Sequence, residues 1–407
     1  MRLPLLCTAL LIACSGTDTG STGGRATGPL TPTVRDSAGI ELAEHPADAL
    51  DRAPLITMDS VPLFSYGGPD VEVEMSKVRR PLALRDGRLA LFAEGSVFII
   101  GRDGQVAERI GRSGAGPDEF RFGDLVLGQG DTILVHDYEN ARVAGVVPGV
   151  GVVDSRPFSG VTPIGNLQVV AGLPDAALLL SSGAIMFPKI ANGVVDMPAV
   201  VARMDAGVDT AYAIDSFPGL RVEVRQSRSS VVEYQGWPTA RLAGDRIMTT
   251  DGFRARMRVL GLDGRLQRVV RLPMARRAVD GAMVERDIEA DLAEYRADGW
   301  SMPHSAPGDS LPIIASLRDR PLPDSLAAFD RLLVGTDDVV WLRDGRYSAA
   351  DSTWAYTALR SDGTILGRFA GSGDDRVVGF GAGTVLLREE DADGFVTFRV
   401  HRLNGMR

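Results

Sequence analysis

Apolar residues along this chain come in short runs, each closed by a polar turn rich in Gly and Asp. The stretch from Phe98 to Phe120, FIIGRDGQVAERIGRSGAGPDEF, shows the pattern in full. A strand-like run meets Asp103-Gly104, a second run comes next, and a Gly-rich corner ends the unit. Asp-Gly suits a tight hairpin, because its backbone readily takes the positive φ angles such turns require. Gly111, Gly114 and Gly116 then loosen the backbone, and Pro117 fixes the exit direction.

The same grammar returns along the chain in six units: residues 83–111, 125–155, a looser 167–215, 240–273, 332–369 and 377–403. Asp86-Gly87, Asp263-Gly264 and Asp362-Gly363 repeat the hairpin signal. Units of about 40–45 residues holding four short strands are the pattern of propeller blades. Each blade exposes an apolar face that only a neighbour can cover, so the array closes or keeps extending. The expected fold is therefore all-β, a six-bladed β-propeller over residues 33–407. Strand-like segments ahead of the first unit, Leu55–Met58 or its neighbours, would complete the last blade.

One segment breaks the period. Between blades four and five, residues 274–330 carry Val284, Ile288, Leu292 and Tyr295 at helical spacing. Pro303, Pro307, Pro312, Pro321 and Pro323 should end that helix and keep the chain beyond it irregular. Insertions in repeat proteins sit on one face, often the binding face, so this segment is expected to be a helical cap.

The charge balance of −9 has both signs interspersed, which gives no footprint for nucleic acid. Both cysteines, Cys7 and Cys14, lie near the start, so the body lacks a disulfide and a cysteine-based metal site. The first residues, MRLPLLCTALLIAC, join one basic residue to an apolar run too short to span a bilayer. Leu11-Ile12-Ala13-Cys14 resembles the lipobox of bacterial lipoproteins, which implies a signal peptide at 1–13 and a lipid on Cys14. Residues 14–32, rich in Gly, Ser and Thr, read as a disordered tether. The expected address is the cell envelope, at the periplasmic face of the outer membrane or the cell surface. The membrane would be engaged through the lipid alone.

GRSGAGPDEF (111–120), together with Asp137, Asn140 and Arg142 in DYENARV, is similar to the NHL-repeat pattern. The chain as a whole resembles the six-bladed, NHL-like propellers of environmental bacteria. That resemblance rests also on Asp36-Ser37-Ala38-Gly39-Ile40 and on the Trp strand around 339–342. It implies that Asp137, Asn140 and Arg142 hydrogen-bond the blade's own backbone. Rings of this shape also host lactonases and lyases with a channel metal, but fold alone does not carry function.

Candidate chemistry is sparse. His45, His136, His304 and His401 are scattered and lack metal-ligand spacing. No G-x-S-x-G elbow is present, and the acidic runs 335–338 and 388–394 lack calcium-loop spacing. The blade-opening positions Leu82, Leu125, Leu242, Leu332 and Val377 are apolar, with no recurring carboxylate set. The arginines of FRARMRV (253–259) alternate, which reads as one solvated strand face. No catalytic, metal or cofactor-binding residue is assigned, and no cofactor is expected. The candidate ligand contacts are Tyr295, Trp300 and His304 in the cap, and His136, which could line the channel. The expectation is a monomeric, tethered, non-enzymatic propeller that binds an envelope protein, peptide or glycan. The alternative is a metal-dependent periplasmic hydrolase or lyase of the lactonase-like type.

Overall fold

The computed structural model describes residues 25–78, 80–184, 193–225, 228–297, 311–345, 353–372 and 376–406. The leader, Cys14, Trp300 and His304 lie outside them.

Antiparallel strands succeed one another in groups, each starting at an innermost strand. The first group is Leu82–Ala83, Leu89–Ala93, Ser96–Ile100 and Val106–Ile110. The second runs Gly123–Leu127, Ile133–Asp137, Arg142–Val147 and Gly151–Pro157. The third runs Gly165–Gly172, Leu178–Ala184, Gly193–Met204 and Tyr212–Arg225. The fourth is Thr239–Ala243, Arg246–Thr250, Arg256–Leu260 and Leu266–Arg271. The fifth is Phe329–Val334, Val340–Asp344, Thr353–Leu359 and Ile365–Ser372. The sixth is Arg376–Gly381, Thr384–Glu390 and Val396–Asn404.

Apolar residues alternate along these strands, and each group buries its two faces against its two neighbours. Leu89, Leu91, Phe98 and Ile100 of the first group pack with Leu386, Phe398 and Val400 of the sixth. On its other face, Ala90, Phe92, Val97 and Ile99 meet Leu125, Ile133 and Val135 of the second. Equivalent cores lie between each further pair, up to Trp341, Tyr356 and Phe369 of the fifth against Phe380 and Leu387 of the sixth. Trp341 stacks on Phe380 with centroids 3.9 Å apart. The innermost strands touch in sequence order, and that of the sixth group returns to that of the first. The result is a propeller-like ring around a central channel.

The N-terminal segment is spent on the rim. Ile40–Glu44 adds to Leu266–Arg271 in parallel, with Thr33–Ser37 outside it. Leu55–Met58 pairs with Ile365–Ser372 on one side and with the end of Val396–Asn404 on the other. The strand that completes the sixth group is Phe64–Gly67, antiparallel to Val396–Asn404.

The Asp-Gly hairpins are one residue longer than a two-residue turn. Gly101 donates its N–H to the carbonyl of Gln105, Gly104 donates to Gly101, and the Asp103 carboxylate accepts from Gln105 N. Of the Asp-Gly pair, Gly104 alone has a positive φ, and the ladder shifts register between Ile99 and Ile100. The geometry is thus a wider turn closed by a left-handed glycine, with a bulge. The fourth group repeats it at 261–265. A Cβ at Gly104 would collide with the carbonyl oxygen of Ser65 on the sixth group's outermost strand. One at Gly264 would collide with the carbonyl oxygen of Ile214 on the Tyr212–Arg225 strand of the third group. Glycine is needed there both for its φ and for its lack of a side chain.

The insertion between the fourth and fifth groups holds two helices, Gly281–Ala297 and Leu311–Arg318. The first presents the expected face, with Val284, Ile288, Leu292 and Tyr295 packed on Ile314 and Leu317 of the second. The stretch expected to be irregular past the first helix therefore includes a helix. Pro312 sits in its first turn, where a missing N–H costs nothing. The arginines of 253–259 are likewise not simply solvated. Arg258 makes a two-pronged ion pair with Asp215 at 2.7 and 3.0 Å, and Arg254 meets Asp251 at 2.8 Å.

Two stability outcomes are expected. Gly264→Ala should cost about 1–3 kcal/mol through its forced φ and backbone collision, read as a lower urea midpoint at unchanged slope. Removing residues 25–68 should abolish the single cooperative melt, because the sixth group loses Phe64 and Tyr66 from its core.

Candidate functional site

The link from the third group to the fourth, residues 231–237, runs beneath the helical insertion. Glu233 donates its N–H to Pro321 O at 2.9 Å, and Tyr234 O accepts from Ala327 N at 2.9 Å. Tyr234 takes a left-handed backbone at φ +52°, which turns its side chain toward the long helix. There its hydroxyl donates to Asp287 Oδ2 at 2.9 Å. Between this link, the helices and the innermost strand of the fifth group lies a cavity of about 430 Å3.

Its walls alternate in charge. Arg320 reaches Asp291 at 2.7 Å and Glu233 at 3.7 Å, tying the end of the insertion to the link. Arg343 grips Asp330 with two bonds of 2.6 and 2.5 Å. Arg331 also lines the cavity and donates to Val377 O at 3.0 Å. Burial pushes Glu233 above the usual carboxylate range, with Asp291 and Asp287 adding to the rise and Arg320 opposing it. Burial, and then the acceptor Asp287, push the Tyr234 phenol upward. Trp237 stands at the cavity with 53% of its surface exposed, whereas Trp341 and Trp354 are at 1% and 8%. An indole left open beside paired ionic groups offers a flat apolar platform in a polar pocket.

Of the ligand contacts expected from sequence, Tyr295 and His136 are not among the residues lining this cavity, and Trp300 and His304 lie outside the described residues. Tyr295 packs inside the insertion's own small core. His136 lies in the second group, between Tyr138 and Phe158 at ring distances of 4.2 and 5.0 Å. It is 1% exposed, neither ring nitrogen has a hydrogen-bond partner, and its cross-strand neighbour is Asp124. Asp137, Asn140 and Arg142 contact backbone in the corner: Asn140 Nδ2 donates to Gly114 O at 2.9 Å and Arg142 to Gly116 O at 2.8 Å. The innermost strands are less apolar than the blade-opening positions suggest. Asp124, Arg241, Asp330 and Arg331 all sit on them, within two residues of the apolar position that marks the strand in sequence. Scanning the positions beside each Leu would have found them. Among the described residues, no three of His, Cys, Asp and Glu converge as ligands for a metal ion.

No family model matches the chain, and no curated protein does. A solved member of the DUF4221 family from Bacteroides vulgatus superposes with a TM-score of 0.50 at 12% identity, covering 86% of this chain and 98% of its own. A gluconolactonase from Xanthomonas campestris gives 0.38 at 11%, covering 92% and 99%. An inactive virginiamycin B lyase from Staphylococcus aureus, solved with quinupristin, gives 0.37 at 7%, covering 86% and 99%. At such identities the likeness concerns the propeller-like fold alone, and the activities stay with those two enzymes.

His136 makes a pH prediction. Burial lowers its pKa from 6.5 to about 4, against the opposing pull of Asp124 and Asp137. The folded state keeps the imidazole neutral while the unfolded chain protonates it near 6.5. Its contribution is therefore whole above that value and drains away as pH falls toward 4, by up to about 1.4 kcal/mol per unit. His136→Phe should flatten that part of the stability profile between pH 6.5 and 4, measured by urea titration at each pH.

Proposed function

We propose that this chain is a six-bladed propeller that captures a glycan in the cell envelope, in the cavity under its helical insertion. Six strand groups bury six successive cores, and their innermost strands meet in sequence around the axis, which supports the blade count. The observation that carries the ligand reading is Trp237, exposed at a cavity walled by Asp330–Arg343 and Asp291–Arg320. A sugar ring offers C–H faces that lie flat on an indole and hydroxyls that bridge carboxylate and guanidinium edges. About 430 Å3 falls within the range that encloses a small ligand. The lipobox and the Gly/Ser/Thr tether support an anchored protein at the envelope.

The insertion can be removed cleanly, because Ala278 and Ser325 bridge to one another at its neck. Joining them through a short Gly linker should leave the ring folded and abolish binding of soluble cell-wall oligosaccharides by calorimetry. Trp237→Ala should weaken that binding at least tenfold with no loss of stability. Unchanged affinity in both variants would overturn the reading. Cys14→Ser should move the protein from the membrane fraction to the soluble one. The second reading, a metal-dependent hydrolase or lyase, is checked by elemental analysis of protein purified without chelator. A stoichiometric divalent ion would favour it over glycan capture.

A further inference from the structure

The long helix of the insertion has a second side. Its apolar stripe, Val284, Ile288, Leu292 and Tyr295, packs on Ile314 and Leu317. One position ahead of Ile288 and of Leu292 stand Asp287 and Asp291, a single turn apart, and both line the cavity. Asp291 is held by Arg320 at 2.7 Å, and the same guanidinium lies 3.7 Å from Glu233 on the link. Tyr234, the next residue of the link, donates to Asp287 at 2.9 Å. One shared arginine and one phenol thus tie three carboxylates, from two segments, to the same end of the cavity.

That end holds more negative charge than the fold answers. Among the described residues, Arg320 is the one cation paired with any of the three acids. Asp287 meets no guanidinium there. It is 8% exposed, its Oδ2 accepts from the neutral Tyr234 phenol, and its Oδ1 is buried without a hydrogen-bond partner. A carboxylate has room for about four donors, and a buried one without a cation is costly. Glu233 registers the same surplus, since burial, and then Asp291 and Asp287, lift its carboxyl in spite of Arg320. The other acid of the cavity, Asp330, is by contrast fully engaged by the two-pronged Arg343.

We propose that this acidic end receives the protonated amine of an amino sugar, with Asp287, Glu233 and Asp291 as its acceptors. The inference rests on the reading of the cavity as a sugar site and names the class of sugar. An ammonium brings three N–H donors and no acceptor, which suits carboxylate oxygens short of donors. It does not need the close convergence of ligands that a metal ion demands, and no such convergence exists among the described residues. Glu233 and Asp291 are partly open, so a ligand can reach them. Trp237, on the same cavity, adds to the preference, because an indole face attracts cations as well as C–H groups.

Calorimetry with three β-1,4-linked trisaccharides tests this: that of glucosamine, in a buffer that keeps its amines protonated, its N-acetylated form, and the plain glucose trimer. The amine form should bind about tenfold tighter than the other two. Asp287→Asn keeps an acceptor for Tyr234 and loses the charge. It should bring the amine form down to the affinity of the other two and melt no lower than the parent. Glu233→Gln, on the open wall, is the second variant and should cut the advantage by about threefold. Equal affinity for all three sugars, each lost in Trp237→Ala, would keep sugar capture and overturn the amine. Binding of none would overturn both. Tighter binding of trilysine than of the amine sugar would assign the acids to a peptide and overturn the proposal as well. So would an undiminished advantage in whichever of the two acid variants folds.

Discussion

No strand group in this protein can bury its apolar surface by itself. Each has two faces, and the cover for each comes from a different neighbour, so every core is a property of a pair. The free energy of burial is collected fully when the circle is complete. The sixth group, with three strands of its own, is therefore the weak point, and Phe64–Gly67 is borrowed from the other end of the chain to finish it. Phe64 and Tyr66 then enter the core between the sixth and first groups. Ends far apart in sequence become one ladder, and that ladder locks the ring.

Two kinds of electrostatics arise from that geometry. On the outer strands, Arg268 pairs with the half-exposed Glu41, where water screens the charges and the contribution is modest, while Arg258–Asp215 pairs charges that are mostly buried. Around the axis, the inner strands bring a few charged side chains into a space that protein surrounds. There Arg343 holds Asp330 by two hydrogen bonds of 2.6 and 2.5 Å, with both side chains largely shielded from water.

The architecture was legible because it is repetitive. Apolar alternation and Asp-Gly turns located the units, and the stripe Val284, Ile288, Leu292 and Tyr295 located the long helix with its packed face. Finer geometry was hidden. The left-handed residue at 101–105 is Gly104 alone, and its need for glycine comes from Ser65 on a strand that no local pattern connects to it. The helix Leu311–Arg318 was masked by prolines, since a proline in a first turn and one that breaks a helix look alike in sequence. The cavity was hidden for a different reason. Its walls come from residues 231–237, from both ends of the insertion and from the fifth group, and none of these segments carries a motif. Aromatic residues drew attention to Tyr295, whose ring faces its own helical core, while Trp237 gave no signal until its surroundings were known.

The routing of the N-terminal segment has a mechanical consequence. Leu30 bridges to Ile365, and the hairpin Thr33–Ser37 with Ile40–Glu44 lies on the outer edge of the fourth group. A force applied ahead of residue 25 reaches these contacts one at a time, starting with the Ala26–Arg52 hydrogen bond, then the Leu30 bridge and the Thr33–Glu44 pair. Such loading peels a ladder pair by pair, which needs far less force than shearing all its bonds together. The hairpin thus behaves as a slack length of chain that unreels under tension, while Leu55–Met58 and Phe64–Gly67 keep the ring shut behind it. The rim strands absorb the pull before the closure feels it.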